Sequence, residues 1–528
     1  MPKPQVDYAL YLVTDSTPAI LGDRDLGSVV AAAVKGGVTC VQYRNKTKDT
    51  GDLVAEAKKL HEVTRAHGVP LLINDRVDVA LAVGCEGVHI GQDDMDLTTA
   101  RKILGPDAII GVTASTIDEA LKACEGGADY LGIGTVFATS TKENTKHIIG
   151  TAGLRDILAA IDSAGHFPAV KTVCIGGIKS TNIQRVLYQS ATPAGPAIDG
   201  VAVVSAIVAA EDPEAESRRL LELVRSSPSY QQVVKTGTGV SDVKQLVELV
   251  PEVVKAVAQA SPLSHNMTNL RGKVVQNFAA NVALAVGASP IMANYGEEAP
   301  DLARLGGALV INMGTVTLDG LANYIKALAA YNAAKRPVVF DPVGAGATAI
   351  RRSAVKTILS GGYLDLIKGN EGEIATVYGQ SLEQQKGVDS SSTLSHEQKA
   401  KLVKDLASRE RNVVLMTGKT DYVSDGVRTF AVENGHELLG QITGTGCVLG
   451  TTISAMLAAK SDDKLLAVVA GLLHFEIAAE HAAVRGDVQG PGTFVPAFID
   501  ELARIRNQTV GGDLKWLSGA KVEAVEVQ

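Results

Sequence analysis

The sequence predicts an α/β protein of two successive domains, the first a (β/α)8 barrel. Three observations support this. The chain has 528 residues, more than one hydrophobic core ordinarily serves. From residue 7 to about 225, short β-rich runs alternate eight times with helical patterns. A barrel demands eight such units and a doubly wound sheet does not. Around 226–242, Ser226-Ser227-Pro228-Ser229 and Thr236-Gly237-Thr238-Gly239 break the pattern, and a second α/β alternation then starts. The expected layout is a first domain over 1–228, a linker over 229–244 and a second domain over 245–528.

Candidate barrel strands are 9–14, 39–44, 70–74, 87–90, 108–112, 130–134, 171–175 and 199–203. Amphipathic segments such as 53–67 and 116–125 lie between them. In the second domain a helix is expected over 242–260, with strands over 306–312, 337–341, 364–367 and 413–417. The polar, Ser-rich stretch 384–398 reads as a surface insertion. The longest apolar stretch, 465–473, is followed by His474 and Glu476 and reads as a buried helix, not a membrane span.

Hydrophobic residues make up 46% and charged residues 20%, so each half can bury a core. Aromatics are 4% and glycines number 53, which suits aliphatic α/β layers with many tight turns. A net charge of −8 without a Lys/Arg run argues against a nucleic-acid partner. Five scattered cysteines without a CxxC argue for a reducing compartment, and against disulfides or structural zinc. The expectation is a cytoplasmic protein with no membrane partner.

Polar residues fall just after the barrel strands: Arg44, Asn74, Asp75, Gln92, Asp94, Thr113, Gly176, Gly177 and Ser205. A barrel gathers all such points at one face. Asp75 and Asp94 suit Mg2+, which takes few carboxylates and fills its shell with phosphate oxygens and water. They could also merely cap helices. With Arg44 and Lys46 beside them, they read as a diphosphate cradle. Gly176-Gly177 lets backbone N–H groups approach a second anion. His89 reads as a structural residue at a strand end.

These motifs carry a resemblance. Gln42 to Lys46 (Q-Y-R-N-K), Ile73 to Asp75, His89 to Asp94 and Cys174 to Ile178 resemble thiamine-phosphate synthase, over nearly all of 7–225. That family joins a hydroxymethylpyrimidine diphosphate to a thiazole phosphate and releases pyrophosphate. The resemblance implies that Gln42, Tyr43, Arg44, Asn45, Lys46 and Asn74 hold the pyrimidine diphosphate, and that Asp75 and Asp94 hold Mg2+. It implies catalytic roles for Thr113, near the reacting centre, and for Lys142, on the leaving pyrophosphate. Thr139, Thr141, Gly177, Val204 and Ser205 would receive the thiazole phosphate. Thr135 and Ala138 stand where the family usually has prolines, so loop 6 is expected to be looser.

In the second half, Thr443-Gly444-Thr445-Gly446-Cys447 precedes a helical run, and glycines at a helix entry expose N–H groups to a phosphoryl group. The nearest Walker-A lookalike, at Gly418-Lys419-Thr420, lacks its upstream glycine because Val413 stands there. A helix N-terminus would lower the thiol pKa of Cys447. Ser264 to Asn269, Asn277 to Asn281, Gly287 to Met292, Asp341 to Thr348 and Ile442 to Cys447 resemble hydroxyethylthiazole kinase, over roughly 245–508. The resemblance implies a ribokinase-like α/β fold and ATP-dependent phosphorylation of the thiazole alcohol. By it, Asn266 and Met292 line the thiazole pocket, and Arg351 and Thr417 touch ATP. Asn370 and Glu373 place Mg2+ through water, Gly444 and Gly446 form the anion hole, and Cys447 lies at the substrate hydroxyl. Asn370 and Glu373 could instead cap and solvate a loop, the less favoured reading. The family also implies a homo-oligomer built on kinase trimers. The whole chain resembles the synthase–kinase fusions of fungi.

Overall fold

The computed structural model describes residues 3–527 apart from 140–147, 193–196, 228–241, 269–274, 315 and 380–393. The chain divides into two compact units, Met1–Pro228 and Ser229–Gln528. The expected linker lies mostly outside the described residues. Its end is shortened, because a helix already starts at Val243, capped by the Asp242 carboxylate on Gln245 N–H.

In the first unit, strands β1 (Leu10–Val13), β2 (Cys40–Tyr43), β3 (Leu71–Asn74), β4 (Gly87–Ile90), β5 (Ile109–Ala114), β6 (Tyr130–Gly134), β7 (Lys171–Ile175) and β8 (Gly200–Val203) close into a barrel. Every pairing is parallel, including β1 with β8, where Tyr11 faces Ala202. Alternation along each strand sorts the side chains. Tyr11, Val13, Cys40, Leu72, Ile109, Tyr130, Val173 and Ala202 fill the interior with Tyr8. Leu10, Leu12, Val41, Tyr43, Leu71 and Ile73 pack outward under the helices. Each fully buried aliphatic side chain contributes about 1.5–3 kcal/mol. Gly111 and Gly132 make room inside: a Cβ on them would strike the Tyr130 ring and the His89 ring, respectively. Helices Leu26–Lys35, Leu97–Leu104 and Ile117–Glu125 begin at Asp25, Asp96 and Thr116, whose side chains accept a first-turn N–H.

The second unit is a nine-stranded sheet between two helical layers. Its strands are β9 (Leu263–Thr268), β10 (Ser289–Ile291), β11 (Ala308–Asn312), β12 (Val338–Asp341), β13 (Leu366–Asn370), β14 (Val413–Thr417), β15 (Asp421–Ser424), β16 (Thr429–Val432) and β17 (Val522–Ala524). Their order is β10-β9-β11-β12-β13-β14-β15-β16-β17. Pairings are parallel as far as β14 and antiparallel beyond it. Sequence reading found β11 to β14 and missed the rest. β9 hides because Ser264, His265 and Asn266 are polar yet buried. β10 and β17 are only three residues long.

Helix Lys464–Ala483 is long and apolar enough to cross a membrane by length and composition, but 89% of that stretch is buried within the unit. It is a core helix, as its neighbours Thr445–Ala459 and Pro491–Val510 confirm by packing on it. Of the expected insertion over 384–398, residues 384–393 lie outside the described residues, and its end is corrected: Ser395 caps helix His396–Glu410, which takes in 396–398.

Candidate active sites

The carboxyl ends of the barrel strands surround a cavity of about 900 Å³. Gln42, Arg44, Lys46, Asn74, Asp75, Asp94, Thr113, Thr139, Gly177, Val204 and Ser205 all line it. Thr141 and Lys142 lie outside the described residues. Two expectations are corrected. Tyr43 points out of the barrel, is 1% exposed and bonds Glu56, because it follows the inward Gln42 by one residue. Asn45 folds its own turn: its Oδ1 accepts from the N–H groups of Thr47 at 3.0 Å and Lys48 at 3.1 Å.

A hydrogen-bonded chain crosses the cavity floor. Gln42 Nε2 donates to Tyr11 Oη (2.9 Å), which meets Tyr130 Oη (2.7 Å). Tyr130 Oη meets His89 Nδ1 (2.8 Å), and His89 Nε2 meets Thr113 Oγ1 (2.9 Å). Burial holds the Tyr11 and Tyr130 hydroxyls well above the ordinary phenol value. His89 is thus the link that fixes Thr113. Sequence reading missed both tyrosines, although inward alternation was available as a signal. Gln92 adds a second tie, donating to Thr113 O at 2.6 Å.

The charges are laid out unevenly. Arg44 reaches Asp15 at 3.4 Å, and Lys46 reaches Asp75 at 3.1 Å. Asp75 sits at φ 62°, a left-handed turn that Asp tolerates. Asp94 accepts from Gly91 N–H at 2.7 Å. Burial, then the neighbouring Asp75 carboxyl, pushes Asp94 above the usual carboxylate range. Two hard carboxylates in mutual repulsion fit a small divalent cation. Among the described residues no group of three or more His, Cys, Asp or Glu could hold a metal. The remaining coordination would therefore fall to water and phosphate, as suits Mg2+.

The described part of loop 6 is hydrogen-bonded at both of its ends. Val136 N–H donates to Ile175 O (2.9 Å), Phe137 N–H to Gly176 O (3.0 Å) and Ile149 N–H to Thr135 O (2.9 Å). It packs on Gly176 and Gly177, at φ 108° and 64°, where a Cβ would strike it.

In the second unit, Asn312 and Asp341 end β11 and β12 and Lys368 lies in the middle of the adjacent parallel β13, all on the sheet face shared by Val310, Val339 and Leu366. Lys368 Nζ lies 3.5 Å from Asp341 Oδ2, and Asn312 Nδ2 donates to that same oxygen at 3.0 Å. Above them Gly444, at φ 92°, opens helix Thr445–Ala459. A Cβ on Gly446 would stand 4.0 Å from Lys368 Nζ, so this ammonium underlies the anion loop. Burial opposes its charge, but Asp341, Cys447 and Glu373 outweigh burial and raise its pKa.

Cys447 is corrected in one respect. Burial first, then the Asp341 carboxylate, pushes its thiol up to about 12, against the lowering expected from the helix N-terminus. The Arg351 guanidinium donates to Met313 O (2.8 Å), Val343 O (2.6 Å) and Gly314 O (2.8 Å), so it staples loops together. Asn266 spends its amide on Ser264 (3.1 Å) and on the Thr451 hydroxyl (2.8 Å), and is 4% exposed. Met292 is half-buried against the core. Thr417 pairs in register with Asn370. Asn370 and Glu373 form a reciprocal capping box, and Glu373 also accepts from Gly344 N–H at 2.7 Å. Burial, then Asp341, raises Glu373 to about 7. Lys368 is the residue that sequence reading overlooked.

The model of the hydroxyethylthiazole kinase family matches residues 254–508, and that of thiamine monophosphate synthase matches 10–207. The probable thiamine biosynthetic bifunctional enzyme of Schizosaccharomyces pombe is 43% identical, across 99% of this chain and 100% of that one. The chain belongs to the thiamine biosynthetic bifunctional enzymes. The enzyme of that name from Saccharomyces cerevisiae is 38% identical over 95% of this chain and 96% of its own. A solved hydroxyethylthiazole kinase structure from Pyrococcus horikoshii is 39% identical, covers 53% of this chain and 100% of its own, and has a TM-score of 0.45. The barrel is thus the thiamine-phosphate synthase half and the nine-stranded unit the hydroxyethylthiazole kinase half.

Proposed function

We propose that the two sites work as consecutive steps with the following residue roles. In the kinase half, ATP phosphorylates the primary alcohol of 4-methyl-5-(2-hydroxyethyl)thiazole. The anion loop at Gly444 and Gly446 receives the phosphoryl group, and the Lys368 ammonium stabilises its charge. The Cys447 thiol is neutral, so it positions the hydroxyl, and the alcohol proton passes to the transferred phosphate. Thr417 lies at the strand end where ATP phosphates would bind.

In the barrel, the carbon–oxygen bond of 4-amino-2-methyl-5-(diphosphooxymethyl)pyrimidine breaks, and its electron pair leaves with pyrophosphate. The thiazole nitrogen then forms the new carbon–nitrogen bond, giving thiamine phosphate. No side-chain base is required; Arg44 and Lys46 stabilise the departing charge. Mg2+ bound by Asp75 and Asp94 would neutralise diphosphate charge. Asn74 and Gln42 orient the pyrimidine, and Thr113 is held to the reacting centre by His89. Thr139, Gly177, Val204 and Ser205 take the thiazole phosphate. In the kinase half, Asn370 and Glu373 would hold Mg2+ through water. The pathway thus uses both substrates in one chain, with kinase halves associating as trimers. Exposed Tyr295, Leu305 and Leu318, at 57%, 74% and 87%, are consistent with such association. Five free cysteines fit the reducing cytoplasm.

The observation that carries this reading is the convergence of cations, paired carboxylates and the glycine loop on one barrel cavity. Its test is an omission series with the thiazole alcohol, pyrimidine diphosphate, ATP and Mg2+, following ADP, pyrophosphate and thiamine phosphate. Thiamine phosphate should require all four. Its formation without ATP, or with EDTA present, would refute the scheme.

A further inference from the structure

We propose that Lys179 binds the phosphate of the thiazole substrate and sets the barrel's preference for the phosphorylated thiazole over the free alcohol. This rests on the reading that the loops after β7 and β8 receive that phosphate. Lys179 follows Gly176-Gly177-Ile178 and lines the cavity. In the closed strand order β7 stands four places from β3, so Lys179 faces the cavity from the side opposite Asp75.

Charge accounting singles it out. Arg44 is engaged by Asp15 and Lys46 by Asp75. Among the described residues lining the cavity, Lys179 is the cation without a carboxylate partner. Its backbone is already fixed: Lys179 N–H donates to Asn182 Oδ1 at 2.9 Å, and Asn182 Nδ2 donates to Gly177 O at 3.0 Å. Asn182 is 1% exposed, so this clamp is buried. Binding therefore orders only the lysine side chain. Backbone N–H groups supply geometry, while an ammonium supplies the charge-assisted bond that separates a phosphate ester from a neutral alcohol.

The test is steady-state kinetics on the full chain, varying thiazole phosphate and pyrimidine diphosphate separately. Lys179→Gln should raise the thiazole-phosphate KM about tenfold. The kcat and the pyrimidine diphosphate KM should stay within about twofold, and Lys179→Arg should recover the KM. The unchanged kcat and pyrimidine diphosphate KM of the same variant report that the barrel is folded, since both are read in the unit that holds Lys179. Gly177→Ala, which forces a Cβ onto a left-handed glycine packed on Ala138, is the control for the loop itself. An unchanged thiazole-phosphate KM in Lys179→Gln, with a raised one in Gly177→Ala, would overturn the proposal and leave the loop reading intact. Equal rises in both substrates' KM would reduce Lys179 to a general field effect and also overturn it. If neither variant moves the KM, the loop reading fails and the proposal falls with it.

Discussion

Lys368 Nζ stands 3.5 Å from Asp341 Oδ2, with the two side chains 3% and 2% exposed, directly beneath the anion loop of the kinase half. Removing one member of a buried ion pair strands the other and costs about 3–5 kcal/mol. Lys368→Met should therefore abolish thiazole phosphorylation and lower the unfolding midpoint of this unit. The single tryptophan, Trp516, is buried in the same unit, so its fluorescence isolates that transition. A variant that keeps kinase activity would remove Lys368 from the site.

The thiol of Cys447, pushed up to about 12, is protonated throughout the neutral range. Cys447→Ser should keep kinase kcat within about tenfold, where loss of a true general base costs roughly 10²–10⁴. Iodoacetamide should alkylate the site slowly at pH 7. A thiol ionisation in the wild-type kcat profile between pH 6 and about 9 would contradict this.

Glu373 gives a pH dependence with a definite sign. Its carboxyl is raised from 4.5 to about 7, so the folded unit holds the proton more tightly than the unfolded chain. The stabilisation is present at low pH and fades as pH rises from about 4.5 through about 7. The gap between Glu373→Gln and the parent, read by Trp516 fluorescence, should shift in favour of the variant from pH 5 to about 8. A constant gap would refute it.

Tyr130→Phe cuts the chain that joins Gln42 to Thr113. It leaves Tyr11 and His89 short of a buried partner, at a cost of about 1–3 kcal/mol. Circular dichroism of the barrel transition should show that loss, and synthase kcat should fall while kinase kcat does not.

Much of this was legible in the sequence, for identifiable reasons. The barrel strands are apolar runs cut by helices of clear amphipathicity, and Arg44 and Asp75 follow strands directly, with Asp94 in the loop after β4. Tyr43 was misread because a motif written as a string hides the alternation that turns neighbours to opposite faces. The carbonyl partners of Arg351 at Met313 and Gly314 were not legible, because they come from another loop. Lys368 was overlooked, since nothing local announces a partner on the neighbouring strand. β9 was invisible because Ser264, His265 and Asn266 find theirs on Ser454, Tyr331 and Thr451, far away in sequence.

The most direct test of two working sites in one chain uses Asp94→Ala and Lys368→Met, separately and mixed, with thiazole alcohol, pyrimidine diphosphate, ATP and Mg2+. Asp94→Ala alone should accumulate thiazole phosphate without thiamine phosphate. Lys368→Met alone should make neither, yet form thiamine phosphate when thiazole phosphate is supplied. The mixture should restore the full sequence. Thiamine phosphate from Asp94→Ala alone, or none from the mixture, would contradict the division of labour between barrel and kinase.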